Sequence, residues 1–208
     1  DHRLVRTRNQ LAMLDPKKAT QVIGLFSRSH MIFTADRPAE STEPTLAEMT
    51  RAALKTLSVG GEGFFLMVEG GRIDHACHAN DTVRTATETV AFDEAVREAV
   101  SWADEREAWP RTLVLVTADH ECGGLEFGSL HRDEDGTFDD LSWSTGGHTA
   151  TPVPVYARGC RAEWAREVED NTDLFTLMAR VLTEGAPEPT PEPAEKETEP
   201  APAGAEVE

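Results

Sequence analysis

The chain has 208 residues, of which 39% are hydrophobic, and this is enough for one domain with a substantial core. Its formal net charge of −18 argues against nucleic acid and anionic membranes as partners, because both would repel an acidic surface. Three widely spaced cysteines without a CxxC pair indicate neither a disulfide framework nor a cysteine-based zinc site.

The predicted elements of the first half alternate between strands and helices. "TQVIGLFS" (20–27) is a short apolar run typical of a buried strand. Thr45 and Glu48 form a capping-box pattern, and apolar residues at helical spacing follow until "GGEG". "GFFLMVEG" (63–70) predicts a second strand, and a long helix with one apolar face follows from about Asp81.

The second half continues this alternation. "RTLVLVTADH" (111–120) and "PVPVYARG" (152–159) predict a third and a fourth strand, and "NTDLFTLMARVL" predicts a last helix beginning near Asn171 or Thr172. Such an order is typical of an α/β fold with a largely parallel sheet and helices on both faces. Residues 1–185 form the predicted domain.

The two ends of the sequence differ from this body. Residues 186–208 are rich in Pro, Glu and Ala, and they contain seven glutamates against one lysine. Such a segment buries too little apolar surface to offset its ordering entropy, so we expect a disordered acidic tail. The sequence begins "DHRLVRTRNQ", without an initiator Met or the apolar stretch of a signal peptide. We therefore expect a piece of a longer protein.

Candidate metal ligands directly follow two of the predicted strands. Glu69 comes after "GFFLMV", and Asp119 and His120 come after "RTLVLVTA". In open parallel sheets, ligands collect at the carboxyl ends of the strands. Mixed carboxylate and imidazole suits Zn²⁺, whereas carboxylate with hydroxyl and water suits Mg²⁺.

A second set of candidate ligands depends on a helix and a loop. If a helix begins near Asp74, its carboxylate and His78 lie four residues apart on the same face. His148 lies in the glycine-rich segment "STGGHTATP", before the fourth strand. Each residue alone is more often a turn, cap or loop residue, but their joint occurrence favours a metal site.

Three neighbouring residues are predicted to have other roles. His75 points about 100° away from Asp74 on a helix, which indicates a supporting or surface position. Cys77 and Cys122 flank the candidate ligands and are predicted to be small buried side chains.

Three stretches, "GFFLMVEGGRIDHACHAND", "TLVLVTADHECGGL" and "STGGHTATPVPVYARG", resemble the carboxy-terminal metal motifs of alkaline phosphatases in the same order. The similarity extends from about residue 20 to about residue 185. It implies an alkaline-phosphatase-like fold and hydrolysis of phosphate monoesters through a phosphoserine, with two zinc ions and one magnesium ion. By motif, it implies that the first zinc is held by Asp74, His78 and His148, the second by Asp119 and His120, and the magnesium by Glu69.

Some parts of the family pattern have no counterpart here. The nucleophilic serine, an aspartate shared by zinc and magnesium, a magnesium-binding threonine and a phosphate-clamping arginine belong to the amino-terminal half of the family, and no stretch matches them. We therefore expect a carboxy-terminal portion that contains most metal ligands but no catalytic nucleophile. The first zinc site has all three protein ligands, whereas the second zinc site and the magnesium site are incomplete.

Two alternatives remain at the level of sequence. The chain could be a natural half-length module that binds zinc without catalysis, or a relative of phosphodiesterases and sulfatases, although the block "VEGGRIDH" favours the monoesterase. Family members are usually exported and often dimeric. The resemblance thus implies a phosphate monoester as substrate, a periplasmic or secreted location, and compatibility with a homodimer.

Overall fold

The computed structural model describes residues 2–18, 21–127 and 141–185. The helices are α1 (Arg8–Ala12), α2 (Leu46–Leu57), α3 (Arg72–His78), α4 (Thr82–Glu105) and α5 (Asn171–Glu184). The strands are β1 (Arg3–Val5), β2 (Val22–Gly24), β3 (Leu113–Val116), β4 (Glu121–Cys122), β5 (Leu125–Phe127), β6 (Leu141–Trp143), β7 (His148–Thr149) and β8 (Tyr156–Gly159). The predicted tail, 186–208, lies outside the described residues.

Three helices, α2, α4 and α5, begin where the sequence predicts. Thr45 accepts a hydrogen bond from the backbone N–H of Glu48, and the Glu48 carboxylate accepts one from the backbone N–H of Thr45, which confirms the capping box of α2. The Asp81 side chain caps α4 by accepting from the N–H of Arg84. Asp170 caps α5, so this helix begins at the first of the two predicted residues.

The core lies mainly between α2 and α4. Leu54 of α2 and Ala95 and Ala103 of α4 are buried, and the small alanine side chains let the two helices approach closely. Arg51 of α2 forms a bidentate ion pair with Glu98 of α4 at the edge of this contact. α4 also packs against α3, so this two-helix core supports the short helix through α4.

The strands pair two by two among the described residues. β1 and β2 are parallel, whereas β3 pairs with β8, β4 with β7 and β5 with β6 in antiparallel fashion. The α/β class is confirmed, but these pairings are mostly antiparallel instead of the largely parallel sheet that we expected. Alternating strands and helices indicate the class, while strand direction depends on how the chain returns between them.

The segment 63–70, predicted as a strand, has no ladder partner among the described residues. Its side chains nevertheless alternate as in a strand: Phe64 packs edge-on against Trp102, whereas Phe65 is 57% and Met67 69% exposed. The segment lines an open groove of about 2260 Å³ together with β3 and α5. An apolar run predicts a tendency to enter a sheet, but it does not identify the neighbouring strand.

The fourth predicted strand is shorter than expected. Only Tyr156–Gly159 pairs with β3, and the preceding residues, from Pro152 onward, stay outside the ladder. Pro152 and Pro154 have no backbone N–H to donate, which explains the late start. Within the described residues, we find no helix with the length and apolarity needed to cross a membrane.

Candidate metal centre

The first part of the site lies on the short helix α3. Asp74 and His78 are one turn apart, and Asp74 Oδ1 lies 3.4 Å from His78 Nε2. The helix is held by its buried face, which includes Ala76 and Cys77, so the two polar side chains point away from the core. A helix is therefore present near Asp74, as predicted, and Asp74 and His78 lie on the same face of it.

The second part is brought to α3 by the antiparallel pair β4 and β7. Cys122 is directly opposite His148 in this pair, and Glu121 is opposite Thr149. This register places His148 Nε2 3.5 Å from Asp74 Oδ1 and 3.2 Å from His78 Nε2. Residues 70 positions apart in the sequence thus meet through one strand pair.

The hydrogen bonding of this cluster suits a cation. Asp74 Oδ1 is buried and has no hydrogen-bond partner, although two imidazole nitrogens lie nearby. His78 Nδ1 lies 2.7 Å from the carbonyl oxygen of Gly146, so Nδ1–H donates there and leaves the lone pair of Nε2 facing Asp74. A buried acceptor beside inward-facing lone pairs is the donor set that Zn²⁺ uses.

His120 extends the cluster on one side. Its ring stacks on that of His148 with 3.6 Å between centroids and 24° between planes. His120 Nδ1 is 3.2 Å from the carbonyl oxygen of Glu121, so Nε2 is the nitrogen available as an acceptor, and it lies 3.3 Å from Asp119 Oδ2. Asp119 is 87% exposed, so this pair faces solvent beside the first cluster.

Glu69 lies outside the close cluster formed by Asp74, His78 and His148. Its carboxylate rests against Gly71, where a Cβ would lie 3.3 Å from Glu69 Oε1. Glu69 lines the same groove as Asp74, Asp119 and His120. Four of the six predicted ligands thus line one groove. Three of the six, Asp74, His78 and His148, come into close approach.

The strand pair that positions His148 is itself braced. The Glu121 carboxylate accepts hydrogen bonds from Thr149 Oγ1, across the pair, and from the N–H of Gly124 at 2.8 Å. The bond from Thr149 holds the pKa of Glu121 below its usual range, with the backbone N–H groups adding to the effect. Glu121 is therefore an anion that fixes the register of β4 and β7.

The two glycines of "ECGGL" are required by this geometry. Gly123 and Gly124 have φ values of +90° and +55°. A Cβ on Gly123 would lie 2.5 Å from the Trp143 ring, and one on Gly124 would lie 1.9 Å from Ser144 Oγ. A side chain at either position of the turn after β4 would therefore be strained.

Sequence reasoning missed one residue of the cluster. Cys122 is buried, as predicted, but its Sγ and one ligand atom each of Asp74, His78 and His148 all lie within 4.8 Å of one another. Burial, together with the neighbouring Asp74 carboxylate, raises the pKa of the Cys122 thiol to about 12. The sequence signal that could have found it is its position two residues after the predicted ligand His120.

His75 lies outside the cluster, on another side of α3. Its ring packs edge-on against His30 at 4.3 Å between centroids, and its Nδ1 is 3.1 Å from the Arg72 guanidinium. Burial, with the nearby His30 and Arg72, lowers the pKa of His75, so the neutral form is favoured. These contacts agree with the supporting position that the helical angle predicts for His75.

Comparison with known proteins gives a consistent assignment. Residues 1–138 match the family model described as "Alkaline phosphatase". Streptomycin-6-phosphate phosphatase of Streptomyces griseus is 37% identical over 224 residues, covering 87% of this chain and 48% of that protein. Alkaline phosphatase 4 of Bacillus subtilis (strain 168) is 40% identical over 116 residues, covering 56% of this chain and 24% of that protein.

Solved structures agree with the sequence relatives. Alkaline phosphatase from the Antarctic bacterium TAB5 matches with a TM-score of 0.69 and 28% identity, covering 88% of this chain and 52% of that chain. A variant of that enzyme has magnesium bound in its M3 site. The chain spans about half the length of these two relatives, the Streptomyces and TAB5 proteins. Because the family model covers more than half of its residues, and relatives and solved structures agree with that match, this chain belongs to the alkaline phosphatase family.

Proposed function

We propose that the chain is part of a metal-dependent phosphatase that hydrolyses phosphate monoesters, and that it supplies most of the metal ligands. The observation that carries this proposal is the approach of Asp74, His78 and His148 around a buried carboxylate oxygen without a hydrogen-bond partner. Without a cation, that oxygen would lack compensation for its burial. Membership of the alkaline phosphatase family agrees with the proposed reaction.

The ligands are proposed to divide among three ions. Asp74, His78 and His148 would hold the first zinc, His120 and Asp119 would contribute to a second, and Glu69 would bind magnesium. The donor types support the division, since imidazole suits zinc and carboxylate suits magnesium. When bound, such ions stabilise negative charge on phosphoryl oxygens and lower the pKa of water toward about 7.

The chain's own residues orient this site. The Gly146 carbonyl fixes the tautomer of His78, and the Glu121 carbonyl fixes that of His120, so both leave Nε2 available as a metal ligand. Glu121 and Thr149 lock the strand pair that carries His148. Because rigid ligands need less reorganisation on binding, these contacts favour a preformed centre.

The acidic composition adds to the need for cations. With a formal charge of −18, the protein would repel a phosphate dianion unless the carboxylates at the site were neutralised. Asp119 and Glu69, both exposed at the groove, would contribute to that repulsion in the metal-free state. We infer that metal binding precedes substrate binding.

The wider assignments rest on the family. We propose that a serine nucleophile, phosphorylated during the reaction, is supplied by sequence outside this chain, since the relatives are about twice as long. Residues 1–185 would be part of one catalytic domain and 186–208 a separate tail. A periplasmic or secreted location and a homodimer are proposed from the family resemblance alone.

The test compares the 208 residues with a longer protein in which the upstream half of the gene is restored. Both are assayed for p-nitrophenyl phosphate hydrolysis with zinc and magnesium. We expect fast turnover only in the longer protein and its loss on Asp74→Ala or His120→Ala, because those residues hold the metals. The matched control is His75→Ala, which changes α3 outside the cluster and should retain activity.

Two results would contradict the proposal. Fast turnover by the 208 residues alone, with a phosphoenzyme trapped in acid, would place a nucleophile within this chain. A longer protein that binds zinc tightly but hydrolyses no phosphate ester would instead favour a zinc-binding module without catalysis.

A further inference from the structure

A fourth donor atom lies beneath the three proposed ligands of the first zinc. Cys122 Sγ is within 4.8 Å of a ligand atom from each of Asp74, His78 and His148. The cysteine is only 9% exposed, whereas the Asp74 and His148 side chains are 38% and 47% exposed. The cluster therefore has a sulfur on its buried side and an opening on its solvent side.

The distances are compatible with coordination of one ion by all four residues. Ligands at about 2.0–2.3 Å from a tetrahedral zinc lie about 3.3–3.8 Å from one another. Asp74 Oδ1, His78 Nε2 and His148 Nε2 are already separated by 3.2–3.5 Å, and Cys122 Sγ needs a contraction of about 1 Å at most to join them.

The position of Cys122 is fixed by the same strand pair as His148. The two residues are direct partners in β4 and β7, so their side chains are held as one unit. The Cys122 thiol makes a long contact with the backbone carbonyl oxygen of Asp74, which lies 3.7 Å from Sγ. A weak hydrogen bond of this kind is easily exchanged for a metal bond.

We propose that Cys122 is a fourth protein ligand of the ion held by Asp74, His78 and His148, giving a site with one oxygen, two nitrogens and one sulfur. This inference rests on the first metal site of the proposed function. On coordination, the thiol proton leaves to solvent and a metal–sulfur bond forms. The exposed side of the cluster would remain open to water or substrate, because the four protein ligands approach the ion from α3 and from β4 and β7.

A consequence is a preference for metals that bind thiolate. Zinc, cobalt and cadmium should bind this site more tightly than magnesium or manganese, because sulfur is a soft ligand. Replacing Cys122 by serine should lower the zinc affinity at least about tenfold. Losing only a residue that hydrogen-bonds to a metal ligand already lowers metal affinity by about that factor.

The test is cobalt substitution of the metal-free chain, followed by absorption spectroscopy. We expect visible bands of low-symmetry cobalt together with a sulfur-to-cobalt charge-transfer band in the near ultraviolet. Cys122→Ser should abolish the charge-transfer band and weaken binding. The control is Cys160→Ser, because Cys160 is also buried but lies at the far end of β8 and should leave the spectrum unchanged.

The outcomes separate this inference from the proposed function. One outcome is a wild-type chain with visible cobalt bands but no charge-transfer band, in which Asp74→Ala removes the visible bands. This result would support the metal site but overturn the role of Cys122. Absence of cobalt binding altogether would overturn both. If Cys122→Ser fails to fold, the wild-type spectrum and the cadmium NMR shift, which differs strongly between sulfur and oxygen or nitrogen ligands, still decide the question.

Discussion

His148→Ala is the substitution that tests the metal centre most directly. We expect the wild-type chain to bind about one zinc tightly, since one set of protein ligands is complete. Four-ligand zinc sites have apparent binding free energies of about 10–16 kcal/mol, or about 2.5–4 kcal/mol per ligand, so loss of one ligand should weaken binding about 10²–10³-fold. Asp74 and His78 remain paired on α3 in this variant, so the loss is confined to one ligand.

The measurement is a zinc titration against a competing chelator, repeated by thermal unfolding with and without zinc. Zinc should raise the unfolding temperature of the wild-type chain, and much less that of the variant, because only the native state has the assembled site. His75→Ala is the matched control, as it removes a histidine next to Asp74 that packs on His30. Unchanged affinity in His148→Ala, or an equal loss in His75→Ala, would refute the reasoning.

Three further predictions concern stability. Gly124→Ala should lower the free energy of unfolding by about 1–3 kcal/mol in urea titrations, because its left-handed backbone and crowded Cβ position are both unfavourable. In the control Gly61→Ala, at φ +70° with no atom within 4 Å, the free energy of unfolding should fall by less. The hydrogen bond from Arg51 lowers the pKa of Glu98, so their pair stabilises the fold above the ordinary glutamate pKa and loses this effect as pH falls through the lowered value. Glu98→Gln should therefore lower the free energy of unfolding by about 0.2–1 kcal/mol at neutral pH and leave it unchanged in strong acid. An equal loss at both pH values would contradict a stabilising ion pair with Arg51. Deleting 186–208 should leave the thermal midpoint unchanged, and a fall of many degrees would mean that this tail packs on the body.

Much of the local structure could be predicted because it depends on short-range spacing. The capping box at Thr45 and Glu48 and the facing of Asp74 and His78 follow from helical geometry, which repeats every 3.6 residues. Strand pairing could not be predicted in the same way. The run 63–70 has the composition of a strand, yet its partner is set by chain topology and not by its own residues.

Residue type and local spacing are enough to predict the kinds of ligands, their order and the helix that holds two of them. Long-range pairing in the folded chain brings His148 and Cys122 to α3 and leaves Glu69 outside the close cluster. The reason is that β4 and β7 are joined by long-range backbone hydrogen bonds and the Glu121–Thr149 contact, and a shift of one residue in their register would turn His148 to the opposite face.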